Sequence, residues 1–220
     1  MAWRTCSSHP VLSKFLRAQP DVRLELDVTN RRVDVISDGY DVALRVRSTL
    51  DDSNLVVRSF GVSDQVLVAS PSFVAEQGPF DSPESMRGAT GVGMGGAAGE
   101  RARWRLTGPE GGAIDVDYTP ALVTDDLYLM SQVAVEGIGI AQLPFNLCAE
   151  AIRDGRLVVL LPGYRLPAHQ FHAVFPSRRG LVPAVRAFIE FLAEELPDVT
   201  AKVGRCYADI ARGNPPHPDR

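Results

Sequence analysis

The sequence predicts an α/β protein built from two similar lobes, and three observations carry that expectation. Helical and strand periodicities alternate along the first half at the spacing of right-handed crossovers. The same grammar returns in the second half, without an internal repeat of fixed period. The chain has 220 residues, 45% of them apolar and 23% charged, which is enough to bury a sizeable core.

The elements follow in order. Val11, Leu12, Phe15 and Leu16 repeat at helical spacing, with Ser8 as N-cap and Pro20 as the stop. In Val22–Val28 the four odd positions are apolar and the three between are charged, the pattern of a half-buried strand. Asn30 is expected to cap a short helix with Val33 and Ile36 inward, and Gly39 to end it in a left-handed turn. Asp41–Arg47 is a second strand, and a largely parallel sheet is expected. After the polar loop Leu50–Asn54, strands are expected at Leu55–Phe60 and Gln65–Ala69. Ser70-Pro71 opens a helix that ends at Gly78. Thr90–Gly99 is glycine-rich and is expected to be a loop beside a pocket.

Arg103–Thr107, the turn Gly108–Gly112 and Ala113–Tyr118 form a hairpin signal. A helix capped at Thr124-Asp125 runs to Gly137, then a strand Ile138–Gln142 ends at Leu143-Pro144. Phe145–Asp154 is helical, Arg156–Leu161 extended, and Gln170–Phe175 a strand. The last strong helix places Val185, Phe188, Ile189, Leu192 and Leu196 on one face, and Pro197 is expected to close it.

Composition excludes several function classes. A net charge of −4 is not the basic field of a non-specific nucleic-acid binder. No run approaches 18 uninterrupted apolar residues, and the first eight residues lack the apolar core of a signal peptide, so a cytoplasmic protein without membrane contact is expected. Cys6, Cys148 and Cys206 are far apart, form no CxxC, and Cys148 suits a core thiol. No cofactor or metal is expected. His169 and His172 would point to opposite faces of a strand and cannot share an ion.

Gly91-Val92-Gly93-Met94-Gly95-Gly96 matches G-x-G-x-x-G, with Asp115 about 20 residues on, but a hairpin follows where a dinucleotide site needs a long helix. Asp125-Asp126 suits helix capping better than acid–base work, and Arg101, Arg103 and Arg105 suit a solvated strand edge. No nucleophile elbow or Cys/His pairing is present, so no catalytic residue and no enzyme are expected. What remains is a set of helix N-termini entered from strand ends, where free N–H groups can hold a small anion such as a carboxylate.

Phe15–Leu26 (FLRAQPDVRLEL) resembles a segment of LysR-type transcriptional regulators. So do Arg32–Ile36 through Gly39–Val46, Leu67–Phe73, Trp104–Leu106, Gly137–Ala141 with Leu143-Pro144, and Val185–Leu192, all in the family's order. The similarity covers roughly residues 10–196. It implies the family's effector-binding domain: a periplasmic-binding-protein-like fold (type 2), two Rossmann-like lobes joined by two crossover strands. Lobe I would comprise residues 1–66 and 168–198, lobe II residues 67–167, with 199–220 a frayed tail and crossings near Val66 and Gln170.

The resemblance further implies a small-molecule effector, a carboxylate or an aromatic, held in the cleft between lobes. By position, Ser8, Thr29, Asn30 and Arg45, the last at a strand's end, would line it from lobe I, and Gly93, Met94, Thr124, Asp125, Pro144 and Phe145 from lobe II. It implies a homodimer or mixed dimer through Val11–Val28, and DNA contact only through a helix-turn-helix head that has no counterpart in residues 1–9. The family's first strand is missing or shortened, and Ala2–Cys6 are expected to take part of its place. Alternative readings are a solute-binding protein of a transporter and a module that inactivates intact regulators by mixed dimerisation.

Overall fold

The computed structural model describes residues 8–29, 33–47, 55–94, 102–176 and 181–212. They fall into two compact units. One runs up to Ser63 and includes Ala168–Gly204; the other comprises Asp64–Pro167 and the residues from Arg205.

The first unit contains helix α1 (Ser8–Ala18), strands β1 (Ala43–Arg47), β2 (Val56–Ser63) and β10 (His169–Phe175), and most of helix α5 (Pro183–Ala211). Its sheet has the order β1-β10-β2 and is antiparallel throughout. The parallel sheet expected here is therefore replaced by one centred on the chain's returning strand. Val11, Phe60, Phe175, Ile189, Leu192 and Leu196 form its core. Phe15 meets Phe188 edge-on at 4.9 Å and Phe191 at 5.3 Å, so α1 is held to α5 by aromatic packing.

Three expectations fail in this unit. Val22–Val28 is extended in its burial alternation at the start, but joins no ladder among the described residues. Its apolar set is not buried: Leu26 is 53% exposed. A strand's side-chain pattern does not supply a hydrogen-bonding neighbour. The helix expected after Asn30 is a turn over residues 35–39, with Asn30 itself outside the described residues. There Val35 is fully buried while Ile36 is 61% exposed. The turn is built by Asp34, whose Oδ1 accepts from the N–H groups of Ile36 (3.0 Å) and Ser37 (3.1 Å), and these bonds hold its carboxyl below its usual pKa. Gly39 takes φ +76° as expected. The helix expected to close at Pro197 continues to Ala211, so residues 199–211 are not a frayed tail. The apolar period runs on through Val199, Val203, Tyr207 and Ile210, and that packing outweighs the N–H that proline lacks.

The second unit contains β3 (Gln65–Ala69), α2 (Pro71–Gln77), β4 (Thr90–Gly93), β5 (Arg103–Thr107), β6 (Ala113–Asp117), β7 (Thr119–Val123), α3 (Leu127–Val135), β8 (Ile140–Pro144), α4 (Phe145–Arg153) and β9 (Val158–Leu160). The sheet order is β7-β4-β8-β3-β9. β4 is parallel to both β7 and β8, whereas β3 is antiparallel to β8 and β9. All five residues of β3 are buried. The β5–β6 hairpin forms as expected and brings Trp104, Leu106 and Val116 onto Leu67, Ala69, Ile140 and Leu160. Ser70 caps α2 by accepting from Phe73 N–H at 3.1 Å. Two features depart from expectation. The start of the glycine-rich stretch is a central strand, not a loop, and β7 follows the hairpin directly. Among the described residues no helix is long and apolar enough to cross a membrane.

Candidate functional site

Parallel strands bring their carboxyl ends to one edge of a sheet, and in such sheets ligands bind at that edge. In the second unit β7, β4 and β8 do this. Gly93 ends β4 beside Val123 at the end of β7. The Gly93 carbonyl accepts from Thr124 N–H at 3.0 Å. Met94 follows with half its surface exposed (52%). Gly93, Met94, Thr124 and Asp125 are therefore gathered at one strand-end edge. Pro144 ends β8, the next parallel strand, and Phe145 begins α4 there, its N–H donating to the Asp64 carbonyl at 2.9 Å.

The helix start at this edge differs from expectation. The N-cap of α3 is Asp126, not Thr124-Asp125. Its Oδ1 accepts from Tyr128 N–H (2.9 Å) and Leu129 N–H (3.1 Å), while the Thr124 hydroxyl accepts from Asp126 N–H at 3.1 Å. The chain's own carboxylate thus takes the amides that an external anion would need. Of the pair Asp125-Asp126, Asp126 has the capping role the sequence favours. α4 begins at Pro144 without a side-chain cap.

Tyr118 lies between β6 and β7 and organises this edge. Its ring stacks on Trp104 with centroids 4.2 Å apart and planes 13° apart. A Cβ placed on Gly91 would overlap the ring, and one placed on Gly93 would overlap the phenol oxygen. The ring therefore lies along β4 with its hydroxyl at the Gly93 end. This explains the Gly91-x-Gly93 spacing: the glycines admit a tyrosine, not a pyrophosphate. Burial pushes the Tyr118 phenol up from its ordinary pKa. Periodicity gives no reason to single out Tyr118. The signal for it is the pair of glycines on one face of a strand.

The first-unit candidates are not assembled into a described site. Ser8 is the first residue of α1, Thr29 follows the segment Val22–Val28, and Asn30 is outside the described residues. Arg45 stands in the middle of β1, not at its end, and donates to the Val33 carbonyl at 2.9 Å. That bond anchors the chain before β1, which the strand pattern cannot reveal.

The remaining motifs have structural partners. Asp115 receives Arg103 at 2.8 Å, as a cross-strand pair on an exposed hairpin. His172 is buried with Nδ1 3.0 Å from the Gln170 carbonyl. Cys148 is fully buried, its thiol donating toward the carbonyls of Phe145 (3.4 Å) and Pro144 (3.6 Å), and burial pushes its pKa up to about 12. Among the described residues no three His, Cys, Asp or Glu side chains gather as a metal site.

The two units are of the α/β class, and the second gathers the ends of parallel strands at one edge. Residues 6–197 match the LysR substrate binding domain, and the chain belongs to that family. It is 31% identical over 195 residues to the uncharacterized HTH-type transcriptional regulator YhjC of Escherichia coli K12, covering 84% of this chain and 61% of that protein. It is 32% identical over 192 residues to the HTH-type transcriptional regulator PtxR of Pseudomonas aeruginosa, covering 84% and 59%. The chain thus spans about three fifths of the length of these relatives. Among solved structures, the regulatory domain of CrgA, a LysR-type regulator from Neisseria meningitidis, superposes with TM-score 0.74 at 28% identity, covering 86% of this chain and 91% of that one. The full-length Vibrio cholerae virulence activator AphB has TM-score 0.74 at 23% identity and supports the fold alone. The periplasmic-binding-protein-like α/β fold expected from sequence is the fold of these regulatory domains.

Proposed function

We propose that this chain is the effector-sensing domain of a cytoplasmic LysR-type regulator. It binds a small molecule, without transforming it, in the cleft between its lobes. Gly93, Met94, Thr124, Asp125, Pro144 and Phe145 contribute the second lobe's side, and Ser8, Thr29, Asn30 and Arg45 the first. The effector biases the geometry of the domain, and a DNA-binding head elsewhere in a longer protein reads that bias. The domain dimerises through Val11–Val28, whose exposed Leu16, Leu26 and Val28 suit an apolar interface.

The observation that carries this reading is the conjunction of family membership with the gathered strand ends of β7, β4 and β8. With Asp126 occupying the start of α3, the ligand's oxygen must find its donors elsewhere along the edge. The test is a thermal-shift screen of the purified chain with succinate, malate, benzoate and salicylate. Saturable stabilisation by at least one of them is expected, rising with ligand concentration as RT ln(1 + [L]/Kd). A melting temperature indifferent to all four at millimolar concentration overturns the reading.

A further inference from the structure

We propose that the Tyr118 hydroxyl is the second unit's recognition donor for the effector, bonding a carboxylate or carbonyl oxygen of a small molecule that lies against Met94 and Thr124. The inference rests on the effector-sensing reading above and names the chemistry by which that site selects its ligand.

Four observations converge on it. The phenol oxygen sits at Gly93, at the edge where Met94, Thr124 and Asp125 are gathered. The hydroxyl has no hydrogen-bond partner among the described residues, and the residue is only partly buried, so a ligand can reach it. The packing does not need the oxygen: the ring alone fills the space over Gly91 and stacks on Trp104. Finally, the ring is fixed. Trp104 is 1% exposed and cannot swing aside, and the backbone N–H of Tyr118 donates to the Ala102 carbonyl at 3.1 Å. A donor held before the ligand arrives binds without the ordering cost of a mobile side chain.

The alternative donors at this edge are already engaged. Thr124 N–H serves the Gly93 carbonyl, and Tyr128 and Leu129 N–H serve Asp126. A neutral phenol is also compatible with the two neighbouring aspartates, since it adds no cation that they would neutralise. The carboxylates repel a strongly anionic ligand, so a monocarboxylate or carbonyl compound with an apolar body suits Tyr118 and Met94 better than a dicarboxylate.

The test compares the full 220-residue chain with Tyr118→Phe, titrating benzoate, salicylate, malate and succinate by thermal shift and calorimetry. Tyr118→Phe keeps the ring, so its melting temperature without ligand should match that of the unaltered chain, and its near-ultraviolet circular dichroism should show Trp104 still packed. The aromatic monocarboxylates should bind the unaltered chain, and Tyr118→Phe should weaken them about ten-fold, the usual loss for one hydrogen bond to a charged acceptor. Equal affinity in the two proteins overturns the role of Tyr118 and leaves effector sensing standing. Binding of none of the four to the unaltered chain overturns both. A preference for the dicarboxylates overturns the ligand class.

Discussion

Cys148 shows how one side chain's surroundings translate into a property of the protein. It sits in α4 directly behind Pro144 and Phe145, with no exposed surface, and its thiol has only carbonyl oxygens to donate to. An anion there would be desolvated, which is why the pKa rises to about 12 from an ordinary value of 9.0. The folded chain therefore keeps a proton that the unfolded chain releases above about pH 9, and by linkage the stability this group supplies is lost as pH climbs from there toward 12. Burial raises the Tyr118 and Tyr207 phenols in the same sense, and Asp64 adds to the effect on Tyr207. Urea unfolding at pH 8 and pH 10.5 should show the midpoint falling. Cys148→Ala should begin less stable, and its deficit against the unaltered chain should shrink at the higher pH. A deficit that stays constant would mean that the thiol does not titrate on unfolding. The core role of Cys148 was legible in its apolar helical setting. The role of Tyr118 was not, because a residue between two strands has no periodicity to betray its direction.

At the scale of elements, β2 and α5 meet in the first unit where Thr200 lies against Phe60 and Gly61. The β2–β10 ladder shifts register between Phe171 and His172, opposite Gly61 and Ser59, so Phe60 is the extra residue of a bulge. Gly61 takes φ +146°, a conformation close to glycine-only. Thr200 lies over it, with Oγ1 3.0 Å from both the Phe60 and the Pro197 carbonyls, so its single proton serves one of them at a time. The bulge in β2 and the turn of α5 after Pro197 thus share one hydroxyl. Gly61→Ala places a Cβ against the Thr200 side chain in a disfavoured backbone region, and should cost about 2–4 kcal/mol. Adding Thr200→Ala should recover the steric part only, leaving the backbone part in place. A fully restored midpoint in the double variant would show that the conformation of Gly61 carries no strain. None of this was readable beforehand. Pro197 is a sound local stop signal, and the apolar face that continues beyond it in α5 overrides it. Strands with paired apolar faces, such as β3 and β10, were legible because burial alone decides them.

For the molecule as a whole, the two units differ in how completely their strands are paired. In the second, β3 is buried along its whole length between β8 and β9, and β4 lies between β7 and β8. In the first, the described sheet has three strands with β1 at its edge, and Val22–Val28 lies outside any described ladder. Amide exchange requires breaking a hydrogen bond, so unladdered amides exchange without waiting for unfolding, while those of a central strand wait for the largest opening. The amides of residues 23–28 should therefore exchange within seconds at neutral pH, and those of Val66–Val68 should be the slowest in the chain. Sequence alternation made Val22–Val28 look like a half-buried strand because it reports side-chain faces, whereas strand pairing depends on which backbone lies alongside. Hydrogen–deuterium exchange read by mass spectrometry on peptides covering the two segments separates these causes. Comparable protection in both would mean that Val22–Val28 has a backbone partner, and that the first unit's sheet is wider than its described strands.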